Sequence, residues 1–182
     1  MATPAKSASK TAFRTSRPET PFRIGEHVSR RVGFDAESIR RFATLSGDMN
    51  PLHHDDRAAA AGPFGTLIAS GTQIVALMMG LDATFFSERN EALGLGFEFS
   101  FVKAVPAGAQ LTLEWAVADS TWKPSLSGYV VTAEGRAVDD AGRVYVTAIG
   151  RNLVRVKAAK VVKAVKAAKR RSGKARPART SK

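Results

Sequence analysis

One apolar segment, followed by a change of period, constrains this chain more than any other feature. From Thr66 to Phe86 most positions are apolar, and Ser70-Gly71-Thr72 stands just before Ile74, Val75, Leu77, Met78, Met79 and Leu81. A helix capped at Ser70 and apolar nearly all round is expected to be buried on most sides. Beyond it the period becomes two. Leu95, Phe97, Phe99 and Phe101 alternate with Gly96, Glu98 and Ser100, and Leu111, Leu113 and Trp115 alternate with Thr112 and Glu114. Tyr129 to Ala137 and Val144 to Val156 repeat the pattern, with Asp139-Asp140-Ala141-Gly142 between them as a hairpin turn. About four later strands, one early strand and one long helix call for an α+β fold in which an antiparallel sheet wraps around a single helix.

The segment before the long helix is more broken. Phe22 to Phe34 mixes apolar and polar residues and reads as an irregular first strand. Asp35 then stands as an N-cap, with Ile39, Phe42, Ala43 and Ser46 at helical spacing and Arg40 and Arg41 expected to point outward. Gly47 and Pro51 stop this helix. A short polar helical turn is expected over Asp55 to Ala60, and Gly62-Pro63-Phe64-Gly65 is a loop by its breakers.

The formal charge of +12 is not spread over this core. Residues 1–18 hold four Lys or Arg and no acid, and residues 155–182 hold twelve and no acid. Between them twelve basic residues meet all sixteen acids, so the middle is near −4. The organisation expected is a disordered basic tail over residues 1–20, one domain over 21–156 and a Lys/Ala-rich tail over 157–182. The basic, acid-free start also fits a mitochondrial presequence. In the second tail Lys157, Lys160, Lys163, Lys166 and Lys169 recur every third residue. On a helix that step falls about 60° short of a turn, so the lysines spread around the axis. Such a sleeve of charge suits nonspecific contact with nucleic acid or another polyanion; the other reading is a charged tail with no dedicated partner.

Several classes of function fall away. The chain has no cysteine, so disulfides, thiolate metal sites and a cysteine nucleophile are out. The longest apolar run, Ile74 to Met79, is far below the ~20 residues of a membrane span, and no apolar stretch follows the basic N-terminal residues. The expected location is cytoplasmic, with no membrane contact. His53, His54, Asp55 and Asp56 are consecutive and rarely converge on one ion, so no metal is expected there.

The chemistry-bearing stretch is Ser46-Gly47-Asp48-Met49-Asn50-Pro51-Leu52-His53. Asn50-Pro51 forces a turn, because the residue before proline avoids the helical region. Asp48 and His53 lie on either side of that reversal, which can bring a carboxylate and an imidazole to within one water of each other. Such a pair can activate water and move a proton near neutral pH. Asp and His beside a turn also serve as caps or solvated groups, so the spacing alone leaves both readings open.

Ser46-Gly47-Asp48-x-Asn50-Pro51-Leu52-His53 resembles the signature of the (R)-specific enoyl-CoA hydratases, the MaoC-like dehydratases of the hot-dog fold. Phe64-Gly65-Thr66-Leu67-Ile68-Ala69-Ser70-Gly71 resembles the family's entry into its central helix, and Phe101-Val102-Lys103-Ala104-Val105-Pro106-Ala107-Gly108 the strand and turn after it. The resemblance covers roughly residues 22–156. It implies reversible hydration of trans-2-enoyl-CoA to (R)-3-hydroxyacyl-CoA, within fatty acid metabolism, without a cofactor and in a homodimer with acyl-CoA sites at the interface. It also implies that Asp48 and His53 are the catalytic pair, that Asn50 orients them, and that the Gly71 backbone N–H forms the oxyanion hole. The last role has a physical reason of its own, because Gly71 opens the predicted buried helix, where N–H groups are unpaired and the dipole is positive.

Two positions depart from the family pattern. Ser70 stands where many such hydratases carry His, and Met79 falls near a position where some members have Ser. Met78, Met79 and Phe86 are either acyl-pocket walls or ordinary core. Trp122-Lys123-Pro124-Ser125 is expected in a loop, where an aromatic and a cation could meet the adenine and phosphates of CoA. Two other functions stay open: a hot-dog acyl-CoA thioesterase, and a non-catalytic domain whose basic tail binds nucleic acid or another polyanion.

Overall fold

A computed structural model describes residues 19–157. Residues 1–18 of the expected N-terminal tail, and the lysine series beyond Lys157, lie outside the described residues. The first helix, α1 (Ala36–Ser46), follows strand β1 (His27–Phe34). Asp35 caps it, its carboxylate accepting from Ser38 N at 2.8 Å. Gly47 ends it at φ 77°, with Gly47 N and Asp48 N returning to the carbonyls of Thr44 and Ala43. This is the glycine-terminated helix end that leaves the next residue in a fixed place, and that residue is Asp48. Ile39 and Ala43 are buried beneath it. Arg40 does not point outward as expected: its Nε donates to His54 O at 3.2 Å and its Nη2 meets Asp56 Oδ2 at 2.5 Å. A guanidinium reaches such acceptors because its long apolar stem can lie along the protein before the charge emerges.

A single 3-10 turn (Pro51–His53) and the short helix α2 (Asp56–Ala61) come next. The latter starts one residue later than expected, because Asp55 is its cap and accepts from Arg57 N and Ala58 N. The central helix, α3 (Gly71–Ser87), is capped by Ser70, whose hydroxyl accepts from Gln73 N. It is not buried on most sides. Ile74, Met78, Leu81, Phe85 and Phe86 pack inward, whereas Ala76, Met79, Gly80 and Ala83 form an open stripe. A single sheet can cover only one side of a helix.

Four more strands complete one five-stranded antiparallel sheet: β2 (Glu91–Phe101), β3 (Ala109–Lys123), β4 (Gly128–Val138) and β5 (Val144–Arg155), in the order β1-β3-β4-β5-β2. The sheet holds α3 against its inner face, which is the α+β hot-dog arrangement expected. Trp115 marks the centre of contact, with its indole N–H donating to Met78 O at 2.8 Å. Gly135 makes room for the ring, since a Cβ there would stand 2.6 Å from the indole. Phe97 and Phe99 meet Trp115 edge-on. The early segment is irregular as expected, but the strand proper begins only at His27. Phe22 instead packs its buried ring against Phe85 and Phe86.

Candidate active site

The site is built on the corner between α1 and α2. Asn50 N donates to Asp48 Oδ1 at 3.2 Å, and Asn50 Oδ1 accepts from Leu52 N at 3.1 Å. One asparagine thus ties the carboxylate to the backbone and caps the turn that carries His53. His53 is buried, and its Nδ1 lies 2.8 Å from the Ile68 carbonyl oxygen. A carbonyl only accepts, so Nδ1 carries the proton. Ile68 is held in turn by a bridge to Pro106, with Ala69 N donating to Val105 O and Ala107 N to Leu67 O.

His53 Nε2 then faces Asp48 Oδ2 at 3.4 Å. In the neutral imidazole Nε2 is a lone pair, so two acceptors confront each other across a gap too long for a strong direct bond. A water donating one proton to each satisfies both, and its own lone pairs are left free. This gives the geometric meaning of the sequence pattern: the pair can hold one water and accept or return its proton.

His53 and Gly71 line one cavity of about 310 Å³, with Ile74, Phe101 and Lys103 among the other walls. The Gly71 N–H belongs to the first turn of α3, where helix donors have no partner within the helix. The Phe101 ring packs against Gly71, and a Cβ there would meet the ring at 2.9 Å. The structure therefore brings His53 and Gly71 to one cavity. Asp48 reaches the imidazole from beside that cavity without forming its wall, and Asn50 stands behind both, committed to the turn. A larger cavity of about 670 Å³ lies on the outer face of the sheet, where Glu98 and Glu114 are paired with Arg151 and Arg136 and His27 Nδ1 lies 3.4 Å from the Gly25 carbonyl oxygen.

Sequence reasoning missed two residues here. His54 Nε2 donates to the Asp48 carbonyl oxygen at 2.7 Å, fixing the backbone that bears the carboxylate. Lys103 is the one cation among the residues lining the cavity. Its place in the Phe101–Gly108 motif was the available signal. Other expectations need correction. Trp122 and Lys123 end strand β3 and are not a loop; the Trp122 ring packs edge-on against Tyr129 at 5.1 Å. Met78 and Phe86 are core, whereas Met79 is partly exposed beside a second cavity.

Comparison with known proteins bears on the family and the fold. The chain is 33% identical over 92 residues to 3-hydroxyacyl-thioester dehydratase Z of Mycobacterium tuberculosis, a match covering 48% of this chain and 61% of that protein. The chain thus spans less than two thirds of that relative's length. Among solved structures, an (R)-hydratase from A. caviae involved in PHA biosynthesis superposes with a TM-score of 0.65 at 26% identity, over 72% of this chain and 96% of that one. A MaoC-like dehydratase from Rhodospirillum rubrum gives 0.66 at 26% identity, over 75% and 94%. The family model described as the MaoC like domain matches residues 10–134, and the chain belongs to the MaoC-like dehydratase family.

Proposed function

We propose that this chain catalyses reversible hydration of a trans-2-enoyl-CoA to the (R)-3-hydroxyacyl-CoA. The observation that carries the reading is the Asp48–His53 pair, 3.4 Å apart with the far imidazole nitrogen committed to Ile68, beside a cavity that also exposes the first turn of α3. The water held by the pair adds its oxygen to the β-carbon, and one of its protons passes to the pair. The α-carbon then takes a proton from the pair, so the water is consumed whole and the residues return to their starting state. Between the two steps the thioester oxygen gains negative charge, which the Gly71 N–H stabilises; removing one such donor typically costs about 3 kcal/mol. With both proton transfers served by one pair, hydroxyl and hydrogen arrive on the same face.

Two further features support an acyl-CoA ligand and a second copy. Lys103 offers a charge for a CoA phosphate at the cavity mouth. Edge strand β2 exposes Leu93, Leu95 and Phe101 next to the open stripe of α3, the surface by which two copies would pair into a homodimer. A crotonyl-CoA assay tests the reaction: absorbance of the conjugated thioester should fall, with (R)-3-hydroxybutyryl-CoA found by chiral analysis. Release of free thiol without hydration would overturn the proposal in favour of a thioesterase.

A further inference from the structure

The seam between α3 and β2 holds a second cavity, about 470 Å³, beyond the one that contains His53 and Gly71. Met79, Ala83, Leu95 and Phe97 give it largely apolar walls. Asp82 and Asn152 break that character. Both are buried, and Asn152 Nδ2 donates to Asp82 Oδ1 at 3.1 Å. Asp82 Oδ2 is buried with no partner. A carboxyl oxygen left in this state is costly, and an apolar side chain on this face of α3 would carry no such penalty. Burial pushes the Asp82 carboxyl up to about 6, with the Asn152 amide opposing the shift. On the strand side Asn152 pairs in register with Gly94, next to the β2 bulge, where a Cβ would crowd the Phe97 ring at 3.0 Å.

We infer that Asp82 and Asn152 bind a hydroxyl group carried by the acyl part of the ligand, so that this chain selects hydroxylated acyl thioesters over plain alkyl ones. The inference rests on the acyl-CoA reading above. Apolar walls suit methylene groups, and one orphaned oxygen calls for one donor. A second carboxylate would meet like charge, and an ammonium would leave protons without acceptors in an apolar cavity.

Calorimetric titration of the full chain with saturated acyl-CoAs, matched in length with and without a hydroxyl near the chain end, measures binding without turnover. Hydroxylated chains of some length should bind about tenfold or more tighter, since a site built around a hydroxyl rejects the analogue that lacks it. Asp82→Leu and Asn152→Leu should each abolish that preference while plain chains bind as well or better. Equal binding of the two series by the unmodified chain, or a preference that survives either folded variant, overturns the inference and leaves the acyl-CoA reading standing. If neither series binds, the acyl-CoA reading itself fails and the inference falls with it. The comparison on the unmodified chain decides even if a variant does not fold.

Discussion

His53 turns Nε2 toward the Asp48 carboxylate at 3.4 Å while its Nδ1 is locked 2.8 Å from the Ile68 carbonyl oxygen. The second contact gives the first its chemistry. With the proton fixed on Nδ1, the nitrogen facing Asp48 is an acceptor, and the pair can share a water instead of bonding to itself. Asp48→Asn replaces one acceptor by a donor in that arrangement, and His53→Ala removes the other. Each should lower kcat for enoyl-CoA hydration by about 10²–10⁴-fold. Circular dichroism should show the same fold in both, because Asp48 is partly exposed and its asparagine variant is isosteric, and the His53 variant leaves only the Ile68 carbonyl unpaired. Near-normal turnover in either would remove that residue from the mechanism.

His54 acts through Asp48. Its Nε2 donates to the Asp48 carbonyl, and Arg40 holds the His54 carbonyl from the other side. His54→Ala releases the corner and lets the carboxylate drift, so kcat should fall on the order of tenfold or more with KM little changed. His54→Gln, which can restore a side-chain donor, should recover part of the loss. Equal kcat in all three proteins would reduce His54 to a packing residue.

Gly71, at the start of α3, lies against the Phe101 ring at the end of β2. A Cβ there would meet the Phe101 ring at 2.9 Å, and that ring is more than half exposed, so it can swing aside. Gly71→Ala should therefore leave thermal stability within about 1 kcal/mol, as alanine is a good helix former. The added methyl and the displaced ring intrude on the cavity that Gly71 lines, and on the proposed mechanism kcat/KM should drop about 10²-fold, the scale of losing an oxyanion donor. An unchanged kcat/KM would move the oxyanion site elsewhere.

What the sequence announced was what is local and periodic. Helix α3 with its Ser70 cap, the Asp35 and Gly47 ends of α1 and the Asp48–Asn50–His53 corner all depend on residues within a few positions of one another. Trp122 escaped because β3 shifts register between Val117 and Asp119, so the alternation that identifies the strand reverses face halfway along it. The start of β2 was hidden in the same way by the bulge at Gly94 and Gly96. Ile68 as the anchor of His53, and Arg40 as the anchor of His54, are contacts across fifteen and fourteen residues that no local pattern encodes. The uncovered stripe of α3 followed a different rule: apolar content told what the helix could bury, and the single sheet set how much of it was buried.

Asp82 makes stability depend on pH in a direction opposite to that of a paired carboxylate. Its carboxyl is raised from 3.8 to about 6 by burial, so the folded chain takes up a proton at a pH where the unfolded chain does not. The stabilisation from that proton is fully present below pH 4, fades as pH rises through 6, and is gone above it, where the folded state carries a buried carboxylate. The difference is on the order of 3 kcal/mol. None of the other residues lining the cavity is charged, so no neighbouring charge offsets it. Asp82→Asn keeps an acceptor for Asn152 and removes the titration. It should unfold at higher denaturant than the unmodified chain at pH 8, with the gap narrowing as pH falls from about 6 toward 4. Denaturant titrations across that range check the sign, and a gap independent of pH would mean that Asp82 does not titrate within the fold.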